Sequence, residues 1–216
     1  MKYSLAVFDM DGTILNTIDD LGGCCNVILE KHGYPTHTIE EYKYFVGNGI
    51  PKLIERALPA GTVPEIHKKI LAEYIEYYSL HSADKTAPYD GIVECIKKLR
   101  AAGVKVAVNT NKVQAAAEVL CKKYFPGCFD IIAGFKDGIP PKPAPDGINA
   151  ILKSEKIERE NACYIGDSDV DFLCGKNSGL DFIGVDWGFR GEKFLREHGA
   201  KTVVKTADEL FSVLIG

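Results

Sequence analysis

Asp9 and Asp11 stand two residues apart, directly after the apolar run Leu5-Ala-Val-Phe8. Two carboxylates at that spacing reach one ligand if the backbone turns, and Gly12 suits a turn. Taken alone, the pair reads equally well as a polar loop. Groups of the same kind recur where other apolar runs end. Thr110 and Asn111 leave the run Lys105–Val108, and Asp167, Asp169 and Asp171 follow Ala162–Ile165. Lys142 lies in Pro140-Pro-Lys-Pro-Ala-Pro145, where prolines restrict the backbone around it. A lone lysine is normally solvated, whereas one held in a stiff loop beside three aspartates is expected to pair with charge. The chemistry open to such a set is the gripping of an anionic ligand by a local cation: a metal, a lysine or a helix N-terminus.

The attraction must be local because the chain as a whole repels anions. Its 216 residues carry 26 Lys plus Arg against 30 Asp plus Glu, a net charge of −4. A nucleic-acid binder usually shows a basic excess, so no nucleic-acid partner is expected. Apolar residues make up 46% and charged residues 26%, enough for a packed core and too apolar for disorder. No uncharged run approaches the length of a membrane span, and the N-terminal apolar stretch is too short for a signal peptide. A cytoplasmic protein with no membrane partner is expected. The seven cysteines are odd in number, lack a C-x-x-C pair and have no histidine cluster beside them, so reduced thiols are expected.

Three strand ends must converge if these residues are to act together. Leu5–Phe8, Lys105–Val108, Ile131–Ala133, Ala162–Ile165, Phe182–Val185 and Thr202–Val204 read as buried strands. Helical patterns over Ile92–Ala101, Val113–Tyr124 and Ile148–Lys156 separate them, and Thr206-Ala-Asp-Glu209 reads as a capping box opening a last helix. Alternation of this kind argues for a parallel sheet with helical crossovers, whose ligands bind beyond the carboxyl ends of the strands. Residues 16–86 differ, with helical periodicity and no convincing strand. Ile66, Ile70, Leu71, Tyr74, Ile75 and Tyr78 trace one face of a long helix. Breakers at Gly33-Tyr-Pro35, Gly47-Asn-Gly49-Ile-Pro51 and Pro59-Ala-Gly61 divide that segment into about four helices. The expected architecture is α/β: a Rossmann-like parallel sheet core from residues 1–15 and 87–216, with an inserted helical domain at 16–86.

With these motifs in view, the sequence resembles the haloacid dehalogenase superfamily, and within it the phosphatases similar to phosphoglycolate phosphatase. The opening D-x-D-G-T motif appears as Asp9-Met-Asp11-Gly-Thr13. The strand ending in Thr or Ser appears as Val108-Asn-Thr110-Asn-Lys112. The lysine of K-P-x-P is Lys142, and G-D-S-x-x-D appears as Gly166-Asp-Ser-Asp-Val-Asp171. Order and spacing match over nearly the whole chain. The helical insertion falls where this family carries its cap, and Val46-Gly-Asn-Gly49 resembles the phosphoglycolate phosphatase group. Asn16-Thr17 departs from the Asp-Ser of many relatives.

The resemblance implies a Mg²⁺-dependent phosphomonoester hydrolase of a small phosphorylated metabolite, acting as a monomer or homodimer. Asp9 would be the nucleophile that forms an aspartyl-phosphate, and Asp11 the general acid and base. Mg²⁺ would take Asp9, the Asp11 backbone carbonyl and Asp167, with Asp171 behind them orienting Lys142 or metal-bound water. Thr110 and Lys142 would hold the phosphoryl oxygens, and Asn111 would be a further substrate-binding residue. Asn48 is the cap candidate for the organic part of the substrate, with Lys52 and Arg190 as further candidates for a substrate carboxylate. Asp11 favours phosphoryl transfer over dehalogenation. A sugar phosphomutase of the β-phosphoglucomutase type shares all four motifs, and pyrophosphatase and 5′-nucleotidase activities occur on the same scaffold. A phosphorylation-dependent receiver module uses similar groups, but it would be near half this length and would lack the insertion.

Overall fold

The computed structural model describes residues 2–216. The chain forms two compact units: one is the segment up to Leu15 together with Pro88–Gly216, the other is Asn16–Ala87. In chain order, β1 (Leu5–Phe8) and the short β2 (Leu15–Asn16) come first. The helices α1 (Ile18–Lys31), α2 (Ile39–Phe45), α3 (Ile50–Ala57) and α4 (Pro64–His81) follow, and then β3 (Ala87–Pro88), which pairs with β2. The remainder alternates: α5 (Ile92–Ala101), β4 (Lys105–Val113), α6 (Gln114–Tyr124), β5 (Ile131–Phe135), α7 (Asp146–Glu155) and β6 (Ala162–Gly166). After these come α8 (Asp169–Ser178), β7 (Asp181–Val185), α9 (Gly191–Glu197), β8 (Thr202–Val204) and α10 (Ala207–Ile215).

Six strands form one sheet in the order β5-β4-β1-β6-β7-β8, and every pairing is parallel. The α/β class and the Rossmann-like parallel sheet expected from the alternating pattern are therefore present. β1 lies at the centre, and its four residues are fully buried, as a strand covered on both faces must be. Leu5, Val7, Ala107, Ala162 and Tyr164 pack against Ile148, Ile151 and Leu152 of α7 and Cys174 of α8. Each aliphatic side chain buried in that layer contributes about 1.5–3 kcal/mol. The register sets Phe8 beside Val108 on one side and Ile165 on the other. The residues that follow, Asp9, Asn109-Thr110 and Gly166-Asp167, thus lie together at the carboxyl edge of the sheet.

Several elements depart from the sequence pattern. β4 runs on to Val113 instead of stopping at Val108, with its register against β5 shifting between Asn109 and Val113. In that extension Asn109, Thr110 and Lys112 are buried and Asn111 half-buried, because their polar groups find partners inside the fold. The α10 capping box is only half formed: Thr206 accepts from the Glu209 N–H, but the Glu209 carboxylate accepts from the Lys205 N–H. All seven cysteines are free and buried. No described helix is long and apolar enough to cross a membrane.

In the helical unit, α4 buries Ile70, Tyr74 and Tyr78, but Ile75 of the expected face is 48% exposed. Ile75 adjoins Tyr74 in sequence, about 100° round the helix from it, so the stripe is narrower than the apolar residues suggest. The Tyr74 hydroxyl bonds the Leu21 carbonyl at 3.2 Å, tying α4 to α1. Gly22 lets α2 approach, since a Cβ there would lie 2.6 Å from the Tyr42 ring. Asp20 holds the exit of the unit. Its buried carboxylate accepts the Lys85 N–H, the Thr86 N–H and the Thr86 hydroxyl at 2.7–3.1 Å.

Asp20→Ala strips the acceptor from three buried or part-buried donors, each of which costs about 1 kcal/mol or more when left unmade. Chemical denaturation should show a loss of roughly 2–4 kcal/mol. A loss under about 0.5 kcal/mol would show that water replaces the carboxylate without penalty.

Candidate active site

The sheet edge where β1, β4 and β6 end gathers the charges. Lys142 reaches into it from the proline-rich loop before α7, with its side chain 5% exposed. Its Nζ lies 2.6 Å from Asp9 Oδ1 and 2.7 Å from Asp171 Oδ1. A buried ammonium is stable only where counter-charge and hydrogen bonds surround it, and here two carboxylates do so. Asn111 fixes the loop that carries it: its Oδ1 accepts the Lys142 N–H at 2.8 Å, and its Nδ2 donates to the Lys142 carbonyl at 3.2 Å. The Asn111 side chain thus positions the Lys142 loop.

Asp171 is the third residue of α8 and closes a full capping box with Ser168. The Ser168 N–H and hydroxyl both donate to Asp171 Oδ2, and the Asp171 N–H donates back to Ser168 Oγ at 3.3 Å. The other oxygen, Oδ1, faces Lys142 and lies 3.2 Å from the Tyr164 hydroxyl. That hydroxyl also lies 3.0 Å from the Asn109 carbonyl, so Tyr164 links β6, β4 and α8. Sequence reasoning placed Asp171 behind the metal ligands but missed Ser168 and Tyr164. Both left a signal: Ser-x-x-Asp opening a helix, and a hydroxyl-bearing ring within a buried strand that needs a polar partner.

Asp167 follows β6 and is 1% exposed. Its Oδ2 accepts the Phe189 N–H at 2.7 Å, and Thr13 Oγ1 donates to its Oδ1 at 3.4 Å. Two glycines make room for it. A Cβ on Gly12, whose φ is +91°, would sit 2.3 Å from Asp167 Oδ2, and one on Gly188 would sit 2.2 Å from the Asp167 Cβ. Asp9, Asp167 and Asp171 each present an oxygen within 4.8 Å of the others, a set that could hold a metal ion. Asp171 gives both oxygens to Ser168, Tyr164 and Lys142, whereas Asp167 Oδ1 has only the long Thr13 contact.

Asp11 is the most open of these acids, its side chain 20% exposed, and its Oδ1 lies 3.1 Å from the Nζ of Lys112, whose side chain is 3% exposed. Lys112 had no assigned role in the sequence. Thr110 is buried, and its Oγ1 accepts the Lys112 N–H at 3.2 Å. The remaining candidates have partners of their own. Asn48, in the helical unit, accepts the Arg56 guanidinium at 2.9 Å, and Lys52 pairs with Glu55 at 2.6 Å on an exposed helix face. The Arg190 guanidinium lies over the Phe194 ring.

Concentrating acids in a buried edge moves their protons. Burial, and then repulsion from Asp171, pushes the Asp9 carboxyl up to about 7, with Lys142 pulling the other way. Burial with repulsion from Asp171 and Asp9 holds Asp167 well above the usual carboxylate range. For Lys142, burial opposes the charge, but Asp171 and Asp9 outweigh it and keep the ammonium well above its ordinary value. The folded, metal-free chain therefore holds protons on Asp9 and Asp167 that an unfolded chain releases. Its stability falls as pH rises from the ordinary carboxylate range through about 7. In EDTA at pH 8, Asp167→Asn should raise the melting temperature by several degrees, roughly 1–3 kcal/mol of relieved repulsion. Lys142→Met should lower it, by roughly 3–5 kcal/mol, because two buried carboxylates lose their counter-charge. Calorimetry at pH 5.5 and 8 checks both, and a lower melting temperature for Asp167→Asn at pH 8 would contradict the electrostatic account.

Comparison with known proteins places this geometry. The family model of haloacid dehalogenase-like hydrolases matches residues 6–185. The phosphoglycolate phosphatase of Cereibacter sphaeroides is 34% identical over 191 residues, covering 85% of each chain. Phosphoglycolate phosphatase 1 of Pseudomonas aeruginosa is 31% identical over 215 residues, covering 95% of this chain and 78% of that one. A solved structure from Lactobacillus delbrueckii subsp. bulgaricus superposes with a TM-score of 0.95 at 37% identity, covering 99% of both chains. The chain thus belongs to the haloacid dehalogenase-like hydrolase family, on its phosphatase branch.

Proposed function

We propose that this chain is a Mg²⁺-dependent phosphomonoester hydrolase working through an aspartyl-phosphate on Asp9, with 2-phosphoglycolate as the first-choice substrate. One observation carries the reading: the buried carboxylates of Asp9 and Asp167 lie within 4.8 Å of each other with a single buried lysine touching the cluster at Asp9 and Asp171. Hard oxygen donors with an excess of negative charge suit Mg²⁺. Held by Asp9, Asp167 and the Asp11 backbone carbonyl, Mg²⁺ would offset this charge and that of the phosphoryl oxygens.

The chain's own residues divide the remaining work. The Asp9 carboxylate attacks phosphorus while the bond to the leaving oxygen breaks. Asp11, the acid most open to its surroundings, delivers the proton to that oxygen. It then takes a proton from the water that cleaves the aspartyl-phosphate. The Thr110 hydroxyl and the Lys142 ammonium hold phosphoryl oxygens, where charge accumulates in the transition state. Asn111 and Asp171 position Lys142 from its backbone and its ammonium respectively. We assign the helical unit as the cap that excludes water during turnover. The seven free, buried thiols suit a reducing cytoplasm. The phosphoglycolate phosphatases among the relatives support the substrate choice.

Asp9→Asn should lower phosphate release from both p-nitrophenyl phosphate and phosphoglycolate by at least roughly 10³-fold, about 4 kcal/mol of barrier, in a folded protein. EDTA should abolish wild-type turnover, and added Mg²⁺ should restore it. A folded Asp9→Asn protein retaining a tenth of the activity would remove Asp9 as nucleophile. The substrate is read from kcat/KM for phosphoglycolate beside glucose 1-phosphate, pyrophosphate and a nucleoside 5′-monophosphate. Bisphosphate-dependent isomerisation of glucose 1-phosphate outrunning phosphate release would replace the hydrolase with a mutase.

A further inference from the structure

A small carboxylated ester needs a cation near its carboxylate, and the sequence points to Asn48, Lys52 and Arg190 for that role. In the structure, Asn48 Oδ1 is taken by Arg56, and Lys52 is spent on Glu55. The Arg190 guanidinium lies over the Phe194 ring and acts on Asp167, on the metal-facing side of the site. Lys112 is placed otherwise. It sits at the carboxyl end of the central sheet, in the stretch of β4 where the register against β5 shifts, a local geometry that re-aims side chains. Its side chain is nearly sealed, yet its Nζ lies 3.1 Å from the carboxylate of Asp11. Its N–H is bound to Thr110, so one short segment carries both a phosphoryl contact and this ammonium.

Burying a lysine is costly, and a structural ion pair would serve as well on the surface. What the buried position provides is a cation adjacent to the one acid that must touch the leaving oxygen. An ammonium can serve two carboxylates at once, as Lys142 does with Asp9 and Asp171. In an ester of an α-hydroxy acid, the carboxylate is attached to the carbon that bears the ester oxygen. A substrate whose ester oxygen meets Asp11 therefore brings its carboxylate next to Lys112. We propose that Lys112 is the residue that recognises the carboxylate of the substrate named above. This inference rests on the phosphatase reading given above and assigns its specificity to one residue.

The test is a ratio: kcat/KM for 2-phosphoglycolate over kcat/KM for ethyl phosphate, which lacks only the carboxylate. Wild-type enzyme should favour phosphoglycolate by roughly 100-fold, since a buried polar group left unmatched discriminates strongly. Lys112→Met and Lys112→Gln should bring the ratio to within about threefold of unity, whatever the absolute rates, while Lys112→Arg should retain at least a tenth of it. A purely structural role for Lys112 would slow both esters alike and keep the ratio, which would overturn the proposal. So would a wild-type enzyme that does not discriminate, and this arm stands even if the neutral variants fail to fold. Hydrolysis of neither ester, nor of p-nitrophenyl phosphate, would instead mean that the phosphatase reading itself is wrong.

Discussion

The contact between Lys142 and its two carboxylates, Asp9 and Asp171, is the constraint on which the rest of the site depends. Three acids within 4.8 Å of one another in a buried edge repel, and burial with that repulsion favours protonation of Asp9 and Asp167. One ammonium bonded to two of them keeps the cluster folded while leaving it short of positive charge. On the reading proposed above, that deficit is what would attract a divalent cation. The proline-bounded loop, the Asn111 clamp and the α8 cap can all be read as devices that hold this balance in place.

Parallel strands supply the geometry without further design. Because Phe8, Val108 and Ile165 lie level, the residues after them emerge together, and three segments far apart in the chain meet. The same arrangement sets the limits on packing. Asp167 fits only because Gly12 and Gly188 have no side chain, so backbone and carboxylate come within a distance that any Cβ would close. Rigidity of this sort keeps acids apart by fractions of an ångström, and their proton affinities depend on that separation.

Much of this is legible in the sequence, for definable reasons. The strands of the core are short apolar runs, and the acids and lysine follow them in fixed motifs, so Asp9, Lys142, Asp167 and Asp171 can be named from residue order and spacing alone. The failures share a cause. The end of β4 is misplaced by pattern because Asn109, Thr110 and Lys112 look like loop residues until their buried partners are known. That Asn111 clamps the Lys142 loop is not legible either, because a side-chain amide does not announce which neighbouring loop it will bond. Ile75 looks like core because periodicity gives a helix its faces but not the width of the face that is covered. Polar partnership across long sequence separations is the information that local pattern lacks.

The capping box at the start of α8 has one more implication. Asp171 is at once the residue that ends the helix's run of unmatched N–H groups and the counter-charge of Lys142. Fraying of a single helical turn, an ordinary fast event at most helix ends, would here swing a carboxylate off the ammonium and alter the charge felt at Asp9. Local folding of that turn and the charge balance at Asp9 are thus coupled. Amide exchange at Asp171 and Phe172, whose N–H groups bond Ser168, reports how often that turn opens, in a quantity read from the resting protein without any substrate.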